Sequence, residues 1–218
     1  MSDASRVIYG KQPVAEAERG RRGVLRVWRA PETAGEELER LCGSADHQGV
    51  VAEVEPYPYA GAAELLGKES ALLVALDQVQ DPRNLGAVAR SAEVAGAAGL
   101  VIPERRAAEV TAVACKASAG AVEHLAIARV RNLADWLAEA KEAGFWIWGA
   151  DAEADKAPWD VDLTGPTVLV LGGEGTGLRP RVAAGCDGLV ALPQAGEVGS
   201  LNVSAAATAL LFEAVRQR

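Results

Sequence analysis

The sequence predicts an α/β protein with a mostly parallel sheet, and two observations carry that reading. From Ala71 onward, short aliphatic and β-branched runs alternate with stretches of helical spacing, the order expected of strands joined by crossover helices. Three clusters rich in glycine and polar residues each follow one of these strands: DPRNLGAVAR at 81–90, LGGEGTGL at 171–178 and LPQAGEVGSLNVS at 192–204. Open α/β sheets bind ligands beyond the carboxyl ends of their strands, so the three clusters point to one composite site.

Strands are expected at Ala71–Leu76, Gly99–Ile102, Leu125–Val130, Phe145–Gly149, Thr167–Leu171 and Gly188–Leu192. Helices are expected near Asn84–Ala95, Ala108–Ala117, Leu133–Ala143 and Asn202–Arg216. Asp81-Pro82 suits a helix start, because Asp caps free N–H groups and Pro lacks one that would be unpaired there anyway. The last helix, NVSAAATALLFEAVRQR, is apolar on nearly every side, so the sheet, a second subunit or both must cover it. Leu211→Asp is expected to disrupt that cover. Upstream, Val24–Trp28 and Gly49–Val54 read as strands, Glu36–Leu41 as a helix and PYPYAG at 56–61 as a turn-rich connector. The expected division is a small α/β module at 1–70 and a main domain at 71–218, the module being near the size where a lone core becomes marginal.

Half of the 218 residues are apolar, yet no uncharged apolar run reaches the roughly 18 residues of a membrane span. The start, MSDASRVIYG, lacks the apolar stretch of a signal peptide, and a soluble cytoplasmic protein is expected. Cys42, Cys115 and Cys186 are far apart and the only histidines are His47 and His124, so neither a zinc site nor a disulfide framework is expected. A net charge of -8 argues against coating nucleic acid through bulk electrostatics. Residues 1–30 nevertheless hold seven basic side chains against three acidic ones, so any nucleic-acid contact from this end is local.

Familiar glycine motifs do not fit. GGEGTGL lacks the Gly-Lys-Ser/Thr ending of a P-loop, and glycines at 172, 173, 175 and 177 do not make GxGxxG. HExxH and GxSxG are absent, and both histidines lie outside the three clusters. The clusters instead offer backbone amides together with Asn84, Arg90, Glu174, Ser200 and Asn202. Such groups can grip an adenosine, a carboxylate and a phosphate without a metal.

In order and spacing, the three clusters resemble the successive motifs of the SpoU (TrmH-like) family of RNA 2'-O-ribose methyltransferases. The likeness covers residues 71–218 and includes KASAGAVEHLAI at 116–127. The ending LNVSAAATALLFEAVRQR is similar to the RlmB branch, and VIYGKQPV at 7–14 to the start of that branch's ribosomal-protein-like RNA-binding domain, shortened here between Leu41 and Gly49. The resemblance implies a trefoil-knotted SPOUT-type domain, a homodimer formed partly through the last helix, and S-adenosylmethionine as cofactor with no metal. Carried over by position, the cofactor pocket would use Gly172, Gly173, Glu174, Gly175, Leu192, Pro193, Ser200, Leu201 and Asn202. Asn84, Arg90, Glu174, Ser200 and Asn202 would surround the reacting groups. The implied substrate is a guanosine ribose of 23S rRNA, with a tRNA ribose or a non-catalytic RNA-binding role as alternatives. Gly173, Gln194 and Gly199 stand where family members often have Asn, Met and Glu or Ser, changes that backbone contacts tolerate. Arg19, Arg21, Arg22, Arg26 and Arg29 are expected to aid RNA affinity.

Methyl transfer is an in-line displacement, so the protein must align donor and oxygen and help the hydroxyl lose its proton. A guanidinium holds its proton too tightly to be a good base, so Arg90 is read as binding a neighbouring phosphate and stabilising developing alkoxide charge, with direct proton abstraction as the alternative. Glu174 is read as facing the cationic sulfonium or accepting from Asn84. Ser200 and Asn202 also suit simple helix capping. Arg83, seven residues before Arg90, lies on nearly the same helical face and could add a phosphate contact.

Overall fold

The computed structural model describes residues 6–67, 71–173, 175–197 and 199–218. By their contacts the residues form two units. One comprises Met1–Pro58, Pro82–Arg90 and Glu109–His124, the other Tyr59–Asp81, Ser91–Ala108 and Leu125–Arg218.

The first unit opens with strand β1 (Val7–Tyr9), helix α1 (Lys11–Ala17), strand β2 (Val24–Arg29), helix α2 (Gly35–Cys42) and strand β3 (Val50–Val54). The strands make an antiparallel sheet in the order β1-β3-β2, which leaves β2 at an edge. Sequence reasoning missed β1 and α1. Three residues are too few to show alternation, and Gly10 between the two elements, at φ +103, gives the sharp turn that only the fold reveals. In α2, Glu36 and Glu37 sit in the first turn and Arg40 in the last, as the helix dipole favours. Gly43 closes the helix in the left-handed conformation, its N–H donating to the Glu39 carbonyl. Leu38 of α2 packs with Tyr9 and Val51 in a small core.

Residues 109–124 complete this unit with helix α5 (Ala112–Ala117) and a 3-10 turn at Ala121–Glu123. The helix begins four residues later than expected, because Thr111 caps it by accepting from the Ala114 N–H. Here the expectation for the N-terminal arginines is corrected at one position. Arg22 is buried, its Nη2 donating to Glu123 Oε1 at 2.6 Å and to Cys115 Sγ at 3.1 Å. Tyr57 lies beneath the guanidinium and donates to the Val122 carbonyl at 2.7 Å. Removing either charge would strand the other in the core, so Arg22 is a structural tie between positions 101 residues apart and is not available to a ligand. Burial also pushes the Cys115 thiol up to about 11, which leaves it protonated and unreactive near neutral pH.

The second unit is built on a six-stranded parallel sheet, as the sequence predicts. Its strands are β4 (Leu72–Asp77), β5 (Gly99–Pro103), β6 (Ile127–Val130), β7 (Trp146–Ala150), β8 (Thr167–Gly172) and β9 (Gly188–Val190), in the order β6-β5-β4-β8-β7-β9. Every residue of β4 and β5 is buried, the pattern of strands covered on both faces. Helices α3 (Ala62–Leu66), α6 (Leu133–Glu142), α7 (Pro180–Gly185) and α8 (Val203–Gln217) belong to this unit, while α4 (Pro82–Val94) is divided between the two at Arg90. The short α3 and α7 have no legible periodicity and were not expected. In α8, Val203, Ala207, Leu210, Leu211 and Ala214 are buried, a stripe at helical spacing. Phe212 and Val215 remain 45% and 41% exposed on the other side. Leu211 is therefore core within its own chain, and its replacement by Asp would report on the core, not on a subunit contact.

Candidate functional site

β8 ends at Gly172, where a glycine is forced by contact. A Cβ there would overlap the carbonyl carbon and oxygen of Gly177, and one at Gly173 would sit 2.9 Å from the Gln78 carbonyl oxygen. The loop folds back on itself, with the Gly177 N–H donating to the Gly173 carbonyl at 3.0 Å and Gly175 and Gly177 at φ +72 and +61. No other residue type supplies both the close approach and the left-handed turns at low cost.

Both ends of this loop are held by one residue that sequence reasoning missed. Asp77, fully buried at the end of β4, is registered opposite Gly172 in the sheet. Its carboxylate accepts from the Arg179 backbone N–H at 2.8 Å and from the Arg179 guanidinium Nε at 2.7 Å. The clue in the sequence was an acid at the end of an otherwise aliphatic strand; its partner 102 residues away was not legible.

Beside the loop lies a cavity of about 780 Å³ within the second unit. Of the residues expected to bind cofactor, Gly172, Gly173, Gly175, Leu192, Ser200, Leu201 and Asn202 all line it. Pro193 does not, although its neighbours Leu192 and Gln194 do, and Glu174 lies outside the described residues. Asp151 and Glu153, just after β7, also line the cavity. They were not singled out, although their place at another strand end was the available signal. Asp151 Oδ1 accepts from the Glu153 N–H at 2.9 Å, which fixes the turn. Asn202 caps α8, accepting from the Ser204 N–H at 2.9 Å, so capping and cavity lining coincide in one residue. No Lys or Arg occurs among the described lining residues. Such a wall suits an uncharged or cationic ligand better than a polyphosphate. Among the described residues no group of three or more His, Cys, Asp or Glu could hold a metal ion.

Asn84 and Arg90 are on α4, in the stretch that groups with the first unit, and are not lining residues of this cavity. Arg90 and Arg83 are exposed and Asn84 is half-buried. The glycine of the same motif has a packing reason. A Cβ on Gly86 would meet the Ala114 carbonyl oxygen at 2.5 Å and the Ala117 Cβ at 2.8 Å, so only glycine lets α4 pass this close to α5.

Comparison with known proteins bears on these features directly. The family model described as the SpoU rRNA Methylase family matches residues 71–212. The chain belongs to this family. A second model, for RNA 2'-O ribose methyltransferase substrate binding, matches residues 32–60 of this SpoU chain. A Bacillus subtilis protein named as a TrmH family tRNA/rRNA methyltransferase is 38% identical over 244 aligned positions, covering 100% of the chain and 98% of the relative. The SpoU methyltransferase AviRb from Streptomyces viridochromogenes, solved with S-adenosylmethionine, superposes with a TM-score of 0.84 at 30% identity, covering 98% of this chain and 91% of that one. An S-adenosylmethionine-bound rRNA methyltransferase from Sinorhizobium meliloti gives a TM-score of 0.85 at 26% identity, with coverage of 98% and 87%.

Proposed function

We propose that this SpoU protein is an S-adenosylmethionine-dependent RNA 2'-O-ribose methyltransferase. The observation that carries the proposal is the glycine-walled cavity at the ends of β7 and β8, which has no cationic side chain among its described lining residues. Its volume lies within the range of about 300–1,000 Å³ typical of small-ligand pockets. The residues present fit the cofactor. Gly172, Gly173 and Gly175 bring backbone close to a ligand, Leu192 and Leu201 offer apolar surface to an adenine, and Asp151 and Glu153 supply carboxylates for hydroxyl or ammonium groups. Glu174 and Pro193 are retained in the proposed pocket on the family resemblance. When bound, S-adenosylmethionine supplies an electrophilic methyl group on a cationic sulfur.

In the proposed mechanism Arg90 binds a backbone phosphate beside the target ribose and stabilises negative charge growing on the 2'-oxygen, while Asn84 and Glu174 orient the reacting groups. Ser200 and Asn202 hold the start of α8 against the cofactor pocket. The proposed division of labour follows 1–70 for RNA binding and 71–218 for catalysis, supported by the substrate-binding match at 32–60. A trefoil knot in the larger domain, a cytoplasmic location and a guanosine of 23S rRNA as target complete the proposal. A tRNA ribose is the second reading, favoured by the tRNA/rRNA naming of the Bacillus relative. The test is calorimetry with S-adenosylhomocysteine and with ATP, followed by mapping of ribose methylation in a strain lacking the gene. Binding of S-adenosylhomocysteine but not of ATP, and loss of one 2'-O-methyl mark, are expected; tight ATP binding or an unchanged RNA would refute the assignment.

We also propose a homodimer through the exposed side of α8, where Phe212 and Val215 remain uncovered within one chain. Phe212→Glu is expected to yield monomers in sedimentation without lowering the melting temperature of the isolated chain by more than a few degrees. A wild-type monomer at micromolar concentration would exclude the dimer.

A further inference from the structure

Residues 19–29, RGRRGVLRVWR, contain five arginines and no acid, and the structure gives each a different fate. Arg22 is buried against Glu123. Arg21 reaches the Tyr57 hydroxyl and the Glu123 carbonyl. Arg29 pairs with Glu18 at 2.8 Å, and Arg19 lies 3.9 Å from Glu16. Arg26 instead lies over the indole of Trp28, 4.9 Å from the ring centroid. The two share one face of β2 because side chains two apart on a strand point the same way. Trp28 is itself anchored, packing against Tyr9, Leu38 and Val51. The guanidinium is thus held on a fixed aromatic base while remaining exposed.

Among the described residues β2 is also an outer strand of its sheet, paired with β3 alone, with an irregularity in register between Val24 and Arg26. Along it runs a groove of about 510 Å³ lined by Glu18, Gly20, the buried Arg22, Gly23, Leu25 and Arg26, with the Glu55 carboxylate accepting from the Gly23 N–H. Leu25 is 55% exposed. An edge strand of this kind could pair with another peptide, but main-chain pairing has no need of an exposed guanidinium held over an indole. An unpaired nucleic-acid strand needs both cations for phosphates and planar surfaces for bases.

We propose that the β2 edge is a docking strip for single-stranded RNA, in which an unstacked base lies on Arg26 over Trp28. This rests on the RNA methyltransferase reading and adds to it which surface takes the substrate and that a single strand, not a duplex, is held there.

The test measures anisotropy of a labelled single strand, and of the same sequence as a duplex, on the full-length protein. Arg26→Ala and Trp28→Leu are each expected to weaken single-strand binding about tenfold, within the range that loss of one stacked base produces, and to leave duplex binding nearly unchanged. Arg26→Lys should recover little, since it keeps the charge but not the plane. Trp28→Leu is judged only if its melting temperature holds; the exposed Arg26 variants carry the proposal otherwise. Wild-type affinity in Arg26→Lys, equal losses for single strand and duplex, or displacement of RNA by an extended apolar peptide would overturn it. S-adenosylhomocysteine affinity, measured in every variant, should not change. A wild-type protein that fails to bind that product would defeat the enzyme assignment on its own, leaving the RNA result to be read separately.

Discussion

Single-turnover methyl transfer by Arg90→Ala is expected to fall at least about 10²-fold, while S-adenosylhomocysteine binds as it does to the unaltered protein. The size of the loss is that of removing one preorganised donor to charge that grows only in the transition state. Arg90 is exposed near the end of α4 and does not line the cavity, so truncation costs neither the fold nor the cofactor pocket. Arg90→Lys retains a positive charge but not the planar fork that grips a phosphate through two parallel bonds, and it should recover little of the rate. Measurement at saturating RNA and saturating cofactor separates this from simple affinity. A near-normal rate for Arg90→Ala would return the residue to the helix surface and leave Asn84 or Glu174 to assist the hydroxyl.

Gly172→Ala is expected to give the complementary result, a loss of cofactor-product binding of roughly 10²-fold. The new methyl would overlap the Gly177 carbonyl, which is backbone and cannot swing aside. Relief requires the loop from Gly173 to Leu178 to move away from β8, and an overpacking cost of up to about 3 kcal/mol corresponds to that change in affinity. Gly175→Ala is the matched control. Its Cβ would meet nothing within 4 Å, so only the left-handed φ of +72 opposes it. A cost of about 1–2 kcal/mol is expected there. Calorimetry on the two variants distinguishes steric closure from turn strain; unchanged binding in Gly172→Ala would remove the glycine loop from the cofactor pocket.

The parallel sheet was legible because strands buried on both faces read as unbroken aliphatic runs, as in ALLVAL before Asp77 and TVLVL before Gly172. The tight turns of the glycine loop and the cap of α8 were legible because their residue types are needed locally. The same logic failed wherever a role depends on a distant partner. Arg22 looked like one of five equivalent surface arginines and is a buried tie to Glu123. Asp77 attracted no notice and fastens both ends of the loop through Gly172 and Arg179. Gly86 read as part of a ligand motif, and its structural reason is the passage of α5.

By itself, then, the sequence determined the α/β class and the succession of the main strands along the chain, because periodicity, turn requirements and capping act within a few residues, and its three motifs carried the resemblance to the SpoU family. Tertiary structure decided which charges are consumed in the core and which stay exposed, that Arg26 rests on Trp28 at an open strand edge, and that Asp151 and Glu153 join the glycine loop around one cavity. The physical reason is the same in each case. Desolvation, ion pairing and close packing are set by residues tens to a hundred positions away, and no local pattern records who the neighbours will be.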